Sequence, residues 1–241
     1  MIKKIKDKIK RFESELESTR QLQEDHLALT QLLKMFNDQT FVPLTSWSVS
    51  PKEVLHICND IILNKRKSIV EFGSGFSTIC IAQLLKINKV EARFITVENQ
   101  VSWAEDLKVM LKKFDLADFV QIITAPIADV PADLALGGQR KWYDVDFLTE
   151  GFASVQNIDV VIVDGPFGGT TPFARYSAIP YLKEKMATDF SVFLDDSSRN
   201  DETRIASEWQ KILKSSLKSY KRYIYLTNRT NFDIAPFGNK F

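Results

Sequence analysis

Acidic residues and two closely spaced glycines follow short apolar runs in this chain, and together they are suited to binding a nucleoside. The run 68–72 predicts a buried strand, and Gly73-x-Gly75 comes directly after it, before a helical pattern begins. A strand that turns into a helix at such glycines exposes backbone N–H groups, where α/β proteins hold nucleotide-like ligands. Glu98 comes 23 residues after Gly75, close to the spacing of a carboxylate that binds ribose hydroxyls.

The third position of this glycine pattern indicates which nucleoside to expect. A dinucleotide-binding turn has a third glycine there, whereas this chain has Thr78. A β-branched side chain prevents the closest approach of helix and strand, which disfavours NAD. A tight turn that binds no ligand is the structural alternative. Glu71 either accepts hydrogen bonds from the turn backbone or contributes to the ligand site.

Carboxylates also follow the later predicted strands. Asp164 ends one apolar run, and Asp195 and Asp196 end the next. Ligands of open α/β sheets bind beyond the carboxyl ends of the strands, so these side chains should meet at one site. Clustered buried charges are costly unless a ligand, a metal or arginines pair with them. An ion-pair network of Asp195, Asp196 and Arg199 is the alternative to a ligand site.

The elements that must position these residues alternate between strand and helix patterns. They predict an α/β, Rossmann-like fold: a seven-stranded, mostly parallel sheet with an antiparallel C-terminal hairpin and helices on both faces. Strands are expected at 68–72, 92–98, 119–123, 159–164, 190–195, 221–227 and 231–236, and helices at 76–86, 100–114, 173–186 and 200–215. Residues 124–147 are expected to form a long loop, and Trp142 and Tyr143 within it favour a functional role.

An N-terminal helical extension, residues 1–45, is expected ahead of a domain at 46–241. Apolar residues recur at helical spacing and form one stripe: Ile2, Ile5, Ile9, Phe12 and Leu16. The first twelve residues carry six lysines or arginines and one aspartate. The stripe packs on its own domain or on a partner helix in self-association, lies on an anionic membrane surface, or remains a solvated end.

A second helix is predicted to begin at Ser50 and to run to about residue 64. Ser50 can cap it, and Pro51 suits its first turn. Glu53 is expected to complete a capping box.

Composition excludes several classes of protein. A chain of 241 residues with 44% hydrophobic content fits one large α/β domain plus an extension. The net charge of +1 provides no field that attracts nucleic acid, so no nucleic-acid partner is expected. Cys58 and Cys80 lack a paired spacing and favour a reducing compartment. No membrane-spanning run or signal peptide is evident, so a soluble, cytoplasmic protein is expected.

Several segments together resemble the class I S-adenosylmethionine (SAM) dependent methyltransferases. The segment 71–78 has the Glu-x-Gly-x-Gly pattern of their cofactor-binding turn. Within that class, the chain is similar to the branch that contains plant glucuronoxylan 4-O-methyltransferases. That similarity depends on Asp-Gly-Pro-x-Gly at 164–168, on Arg175, and on Asp-x-x-Arg-x-x-Glu at 196–202. It spans roughly residues 68 to 205.

The resemblance implies SAM as cofactor and methyl transfer to a hydroxyl oxygen of a small-molecule or glycan acceptor, such as a sugar. It implies the following cofactor-binding residues: Glu71, Phe72, Gly73, Ser74, Gly75, Ser77, Thr78, Glu98, Asn99, Trp103 and Asp164. Core packing is the alternative for Trp103.

The same resemblance implies catalytic roles for Asp164, Asp196, Arg175 and Arg199. A carboxylate would take the hydroxyl proton, or would bind a divalent metal that acidifies the hydroxyl. The two arginines could bind an acidic acceptor. The plant pattern has a histidine where this chain has Asp195, so the role of that histidine is absent or replaced here.

Two other functions are consistent with the same fold. One is a nicotinamide-dependent oxidoreductase, which Thr78 argues against. The other is a non-catalytic interaction protein, which the carboxylates at the strand ends argue against.

Overall fold

A seven-stranded sheet forms the centre of the molecule, and a separate two-stranded sheet lies beside it. The computed structural model describes residues 2–37, 41–229 and 232–237. The strands are β1 (Ser68–Phe72), β2 (Arg93–Glu98), β3 (Gln121–Thr124), β4 (Ile127–Asp129), β5 (Lys141–Tyr143), β6 (Ile158–Val163), β7 (Met186–Asp195), β8 (Ser216–Ser219) and β9 (Tyr223–Thr227).

The large sheet has the order β3-β2-β1-β6-β7-β9-β8. All neighbouring pairs from β3 to β7 are parallel, and β9 is antiparallel to both β7 and β8. The chain moves outwards from β1 to β3 and then returns to place β6 on the other side of β1. This reversal opens a crevice at the carboxyl ends of β1 and β6, where such sheets bind ligands.

Helices cover both faces of the large sheet. They are α1 (Ile2–Leu33), α2 (Pro51–Leu63), α3 (Phe76–Asn88), α4 (Val101–Lys113), α5 (Val145–Gly151), α6 (Ala178–Leu182) and α7 (Asn200–Leu213), with 3-10 turns at Ala117–Phe119, Ala132–Leu134 and Lys183–Lys185. Alternate residues of β1 face opposite cores. Ile69 packs in the cluster of α2, α3 and α4, and Val70 in that of α5, α6 and α7. The predicted α/β fold is therefore confirmed.

The C-terminal hairpin is present, but it lies earlier in the chain than predicted. It consists of β8 and β9 rather than of segments 221–227 and 231–236. Helix α7 ends sooner than the predicted residue 215, because Lys214 adopts a left-handed backbone with φ of 50° that terminates the helix. Residues 230 and 231 lie outside the described part of the chain, and residues 232–235 form no strand.

Two further predictions of local structure were wrong. The expected loop at 124–147 contains β4 and β5, which pair as an antiparallel ribbon, and the start of α5. The expected helix at 173–186 is reduced to α6 and one 3-10 turn, because Phe173 has a left-handed backbone with φ of 54° and β7 already begins at Met186. Irregular pairing between Ile158 and Val160 of β6 accommodates the longer β7.

The predicted capping box of α2 is only half formed. The Ser50 hydroxyl accepts a hydrogen bond from the Glu53 backbone N–H at 3.3 Å. The Glu53 carboxylate is fully buried and does not reach back to Ser50, so its two oxygens have no donor among the described residues. Glu53 is instead directed into the protein, towards Asp195.

Helix α1 contacts the rest of the molecule through its C-terminal part. Ala28 and Leu32 are buried, and Lys52 at the start of α2 pairs with Glu24 at 2.5 Å. Within the described residues, no helix has the length and apolar character needed to cross a bilayer. The division of the chain at residues 45 and 46 stays a prediction.

Candidate active site

The backbone turns sharply at Gly73 between β1 and α3. Its φ of +89° is rarely adopted by other residues, and a Cβ there would lie 2.8 Å from the backbone nitrogen of Gly165. The Phe72 carbonyl accepts hydrogen bonds from the N–H groups of Asp164 (2.9 Å) and Gly165 (2.7 Å). The ends of β1 and β6 therefore approach so closely that only glycine fits at position 73.

Glu71, which is buried beneath this turn, stabilises it through hydrogen bonds. Its buried carboxylate accepts hydrogen bonds from three hydroxyl groups: Ser77 (2.6 Å), Thr78 (2.5 Å) and Thr96 (2.8 Å). Burial raises the pKa of Glu71 to about 7, while these hydrogen bonds act in the opposite direction. The Thr78 hydroxyl also accepts from the Gly75 N–H at 2.8 Å. Thr78, which replaces the third glycine of a dinucleotide site, thus ties the turn to Glu71.

Glu98, at the end of β2, closes the other side of the turn. One carboxylate oxygen accepts hydrogen bonds from the Ser74 hydroxyl at 2.7 Å and from the Ser74 N–H at 3.3 Å. The other oxygen accepts from the N–H groups of Asn99 and Gln100, both at 2.8 Å. The Trp103 indole N–H donates to the Ser74 carbonyl at 3.0 Å. Four hydrogen bonds therefore fix Glu98 at the cleft wall, and Trp103 fixes the adjacent backbone.

A cleft of about 550 Å³ lies over this turn, within the range of small-molecule sites. Its lining comes from the glycine turn, the end of β2, the start of α4 and the segment before α2. The lining residues are Pro43, Thr45, Trp47, Ser48, Val49, Ser74, Gly75, Phe76, Ser77, Glu98, Asn99, Gln100, Trp103, Asp164 and Phe167.

A smaller pocket of about 170 Å³ adjoins the cleft. The two cavities share Trp47, Ser74, Glu98, Asn99, Asp164 and Phe167. Only the smaller pocket is lined by the charged residues Arg175, Asp195, Asp196, Arg199 and Arg222. Asp164, which directly follows β6, thus lines both cavities.

Arg175 organises the charges of the smaller pocket. Its buried guanidinium contacts Asp164 and Asp196, both at 3.0 Å, and donates to the Asp195 carbonyl at 3.1 Å. Arg199 adds a second contact to Asp196 at 3.0 Å. Burial raises the pKa of Asp164 well above its usual value, and Arg175 opposes that shift. The carboxyl of Asp164 is therefore more basic than an exposed aspartate.

The carboxylates of Asp164, Asp195 and Asp196 also form a set that could bind a cation. Each offers an oxygen within 4.8 Å of the others, and oxygen ligands suit Mg²⁺ or Mn²⁺. Asp195 Oδ1 is buried without a hydrogen-bond donor among the described residues. Arg175 already contacts the other two carboxylates, so a metal would share them with its guanidinium. The donor set fits a divalent cation in chemistry and spacing.

No protein-family model matches this chain, and no curated protein matches it either. Solved structures do match. An O-methyltransferase from Bacillus cereus in complex with SAH aligns with a TM-score of 0.54 at 12% identity, over 85% of this chain and 90% of that one. An O-methyltransferase from Streptomyces achromogenes involved in tomaymycin synthesis, in complex with SAM, gives 0.52 at 15% identity, over 83% and 88%. A precorrin-6y C5,15-methyltransferase from Geobacter metallireducens gives 0.54 at 14% identity, over 80% and 95%.

The chain has the fold of the SAM-dependent methyltransferases. Within this methyltransferase fold, the predicted site residues fall into three groups. Those around the larger cleft are Ser74, Gly75, Ser77, Glu98, Asn99, Trp103 and Asp164. Those around the smaller pocket are Gly73, Arg175, Asp196 and Arg199, together with the shared residues. Glu71, Phe72 and Thr78 are buried beneath the turn.

Sequence reasoning missed the aromatic residues at the cavity mouth. Trp47 and Phe167 contact each other edge to face, with ring centroids 5.6 Å apart, and both line the two cavities. Trp47 is 74% exposed, which is unusual for so large an apolar side chain. Its place in the linker before α2 hid this role, because nothing in the sequence shows that the linker folds over the sheet.

Tyr143 is a second residue whose site position the sequence did not define. It lines the smaller pocket, and its buried hydroxyl has no hydrogen-bond partner among the described residues. A Cβ on Gly165 would lie 2.3 Å from that hydroxyl, so the tyrosine reaches the floor of the pocket. The orphan hydroxyl is available to a bound ligand.

Glu53 and Asp195 form a pair of buried carboxyl groups behind the smaller pocket. Burial raises the pKa of Glu53 well above its usual value, and Asp195 raises it further. Burial also raises the pKa of Asp195. Two carboxyl groups that face each other without a donor between them are satisfied when one holds a proton. We therefore expect Glu53 to be protonated in the folded protein and to donate to Asp195.

This protonation predicts a stability difference between the native protein and Glu53→Gln. A raised folded pKa means that folding favours the protonated state, so native stability falls as pH rises above the unfolded pKa of Glu53. Glutamine mimics the protonated carboxyl and removes this loss. Between the unfolded and the folded pKa of Glu53, the free energy of unfolding of the variant should rise relative to that of the native protein by about 1.4 kcal/mol per pH unit.

Urea denaturation at a series of pH values between about 5 and 8 measures this difference. Glu150→Gln, at an exposed site on α5, is the matched control and should show no such trend. A constant difference between Glu53→Gln and the native protein at every pH would contradict a shared proton.

Proposed function

We propose that this protein is a SAM-dependent methyltransferase that transfers a methyl group to a hydroxyl oxygen, in a sugar or glycan-linked acceptor. The observation that supports it is the pair of connected cavities that meet at Asp164. The larger cleft has the size and polar edge for an adenosyl group, and the smaller pocket has the charges for an acceptor. The resemblance of segments 164–168 and 196–202 to glucuronoxylan methyltransferases supports the sugar class.

The larger cleft would hold the cofactor against the glycine turn. Glu98 already accepts four hydrogen bonds, so a ribose hydroxyl would bind it in place of the Ser74 hydroxyl, which can rotate away. Trp103 and the backbone of Asn99 would border the adenine. Asp164, which lines both cavities, would then lie between the cofactor and the acceptor.

Chemistry in this pocket would be a single in-line displacement. Bound SAM supplies an activated methyl group. This chain must hold the acceptor oxygen in line with that methyl and remove the hydroxyl proton. Asp164 would accept the proton as the new oxygen–carbon bond forms and the carbon–sulfur bond breaks. Its raised pKa makes it a stronger base than an exposed aspartate, which suits this task.

Arg199 and Arg222 also line the smaller pocket. Arg199 is 43% exposed, so its guanidinium has donors left for a ligand after its contact with Asp196. Together with the rings of Trp47 and Phe167, this rim suits an acidic sugar such as a uronate: the rings stack on the sugar and the arginines bind the carboxylate. A divalent cation on Asp164, Asp195 and Asp196 would offer a second way to acidify the acceptor hydroxyl.

Ligand binding tests the proposed cofactor directly. S-adenosylhomocysteine and SAM should stabilise the protein by about 2.7 kcal/mol at one hundred times the dissociation constant, whereas NAD should not. Thermal-shift assays and titration calorimetry with the three ligands measure this. Glu98→Ala should weaken S-adenosylhomocysteine binding about tenfold or more, because hydrogen bonds to a charged partner are lost.

The control for Glu98→Ala is Glu105→Ala, in the exposed part of α4, which should bind as the native protein does. Stabilisation by NAD alone would favour an oxidoreductase, and stabilisation by no nucleoside would favour a non-catalytic protein. With binding established, incubation with methyl-labelled SAM and candidate oligosaccharides, analysed by mass spectrometry, tests the acceptor class.

A further inference from the structure

The N-terminal part of α1 presents an apolar stripe to solvent. Ile9, Phe12 and Leu16 are 52%, 66% and 61% exposed, although they lie at the spacing of one helix face. The contacts of α1 with the rest of the molecule begin further along: the Lys221 ammonium donates to the Ser18 hydroxyl at 3.1 Å, and Ala28 and Leu32 are buried. A surface helix with such a stripe normally buries it against another element.

Charges along this part of α1 are segregated. The first twelve residues carry a net charge of +5, and three glutamates follow at once: Glu13, Glu15 and Glu17. Among the described residues, Lys6, Lys8, Glu13 and Glu17 form no ion pair, and Glu15 pairs only with Arg11 in its own helix. The helix thus offers a positive segment and a negative segment, both available to a partner.

We propose that two copies of this protein associate through antiparallel pairing of their α1 helices. Turning one helix through 180° places the positive segment of each copy beside the negative segment of the other. A twofold axis near residues 10 and 11 puts Phe12 of each copy against Ile9 of the other, in the alternating layers of an antiparallel coiled coil. Lys6 then faces Glu13 of the second copy, and Lys8 faces its Glu15.

Other arrangements satisfy these charges less well. Parallel pairing would place two +5 segments side by side. An anionic membrane would attract the first twelve residues but repel Glu13, Glu15 and Glu17, which flank the same stripe. The alternation from positive to negative within one stripe therefore favours a second copy over a lipid surface.

The size of the native protein in solution tests the pairing. Analytical ultracentrifugation of the full chain should show a concentration-dependent monomer–dimer equilibrium that weakens in about 1 M salt. Phe12→Asp should weaken dimerisation tenfold or more, a change of about 1.4 kcal/mol. Ser14→Asp adds the same charge on the opposite face of the helix, where residues are exposed, and should leave the dimer intact.

Disulfide trapping tests the orientation. In the antiparallel pair, the two copies of residue 16 lie about 16 Å apart along the axis, and the two copies of residue 12 about 4.5 Å apart. Phe12→Cys should therefore form a covalent dimer under oxidation, and Leu16→Cys should not. The native Cys58 and Cys80 are buried and do not interfere.

Three results would overturn the proposal. A protein that stays monomeric at all concentrations lacks the pairing. Rapid crosslinking of both cysteine variants would show a parallel dimer. A monomer that sediments with phosphatidylserine vesicles, and loses that binding in Phe12→Asp, would assign the stripe to a membrane. None of these results depends on cofactor binding, so they test the dimer independently of the proposed enzymatic function.

Discussion

Asp164→Asn should reduce methyl transfer by about two to four orders of magnitude, the usual contribution of a general base, while S-adenosylhomocysteine binding changes little. Asparagine has the same size and can still accept a hydrogen bond from Arg175, which lies 3.0 Å away. It cannot take up the hydroxyl proton. The loss should therefore appear in kcat rather than in the affinity for the cofactor.

The pH dependence of the reaction sharpens this test. Because the pKa of Asp164 is raised by burial, the native rate should increase as pH rises through it, and Asp164→Asn should lack this step. Steady-state assays with methyl-labelled SAM across pH, using an acceptor identified by mass, measure both effects.

Asp196→Asn is the matched control for Asp164→Asn. Asp196 contacts the same guanidinium at 3.0 Å, but it lines only the smaller pocket. Its replacement should cost much less activity if the base is Asp164. Full activity in Asp164→Asn, or an equal loss in both variants, would remove Asp164 from its proposed role.

The sequence predicts the fold wherever periodicity is strong. Ser68–Phe72 and Ile158–Val163 are fully or almost fully buried strands, and their short, mostly apolar runs identify them without further information. The position of the C-terminal hairpin was predicted wrongly because its first strand lacks such a pattern. Ser216–Ser219 has one apolar residue and continues a helical pattern, so only the left-handed backbone of Lys214 separates helix from strand.

The residues of the site also divide into those that the sequence pattern predicts and those that only the packing of distant elements brings there. Glu98 and Asp164 are the last residues of predicted strands and Gly73 follows one, so the topology of the sheet alone places them together. Trp47 reaches the same cavities from the linker before α2, and Glu53 reaches Asp195 from inside a helix. These two contacts depend on how distant elements pack on the sheet, and no spacing in the sequence records that.

Arg175→Met should destabilise the protein by about 3–5 kcal/mol near neutral pH, the usual cost of breaking a buried ion pair by removing one partner. The Arg175 side chain is 3% exposed and contacts both Asp164 and Asp196. Methionine has an unbranched stem of comparable length, so the main change is the loss of the charge and its donors. Asp164 would be left in a buried site without its counter-charge.

The pH dependence of this loss has a definite sign. Without Arg175, burial raises the pKa of Asp164 further, so the folded variant retains a proton that the unfolded chain releases. Stability of the variant therefore falls as pH rises above the unfolded pKa, and the difference from the native protein should shrink on acidification. Urea denaturation of both proteins at about pH 5 and about pH 8 measures the two differences.

Arg199→Met is the control that shows whether the loss of stability comes from removing a buried charge rather than from removing any arginine at this site. Arg199 contacts the same Asp196 carboxylate at 3.0 Å, but 43% of its side chain is exposed. Exposed ion pairs contribute at most about 1 kcal/mol, so its removal should have little effect on unfolding. Equal losses in the two variants would mean that Arg175 does not compensate a buried charge. The smaller pocket would then owe its shape to packing, and the raised basicity of Asp164 would lose its structural basis.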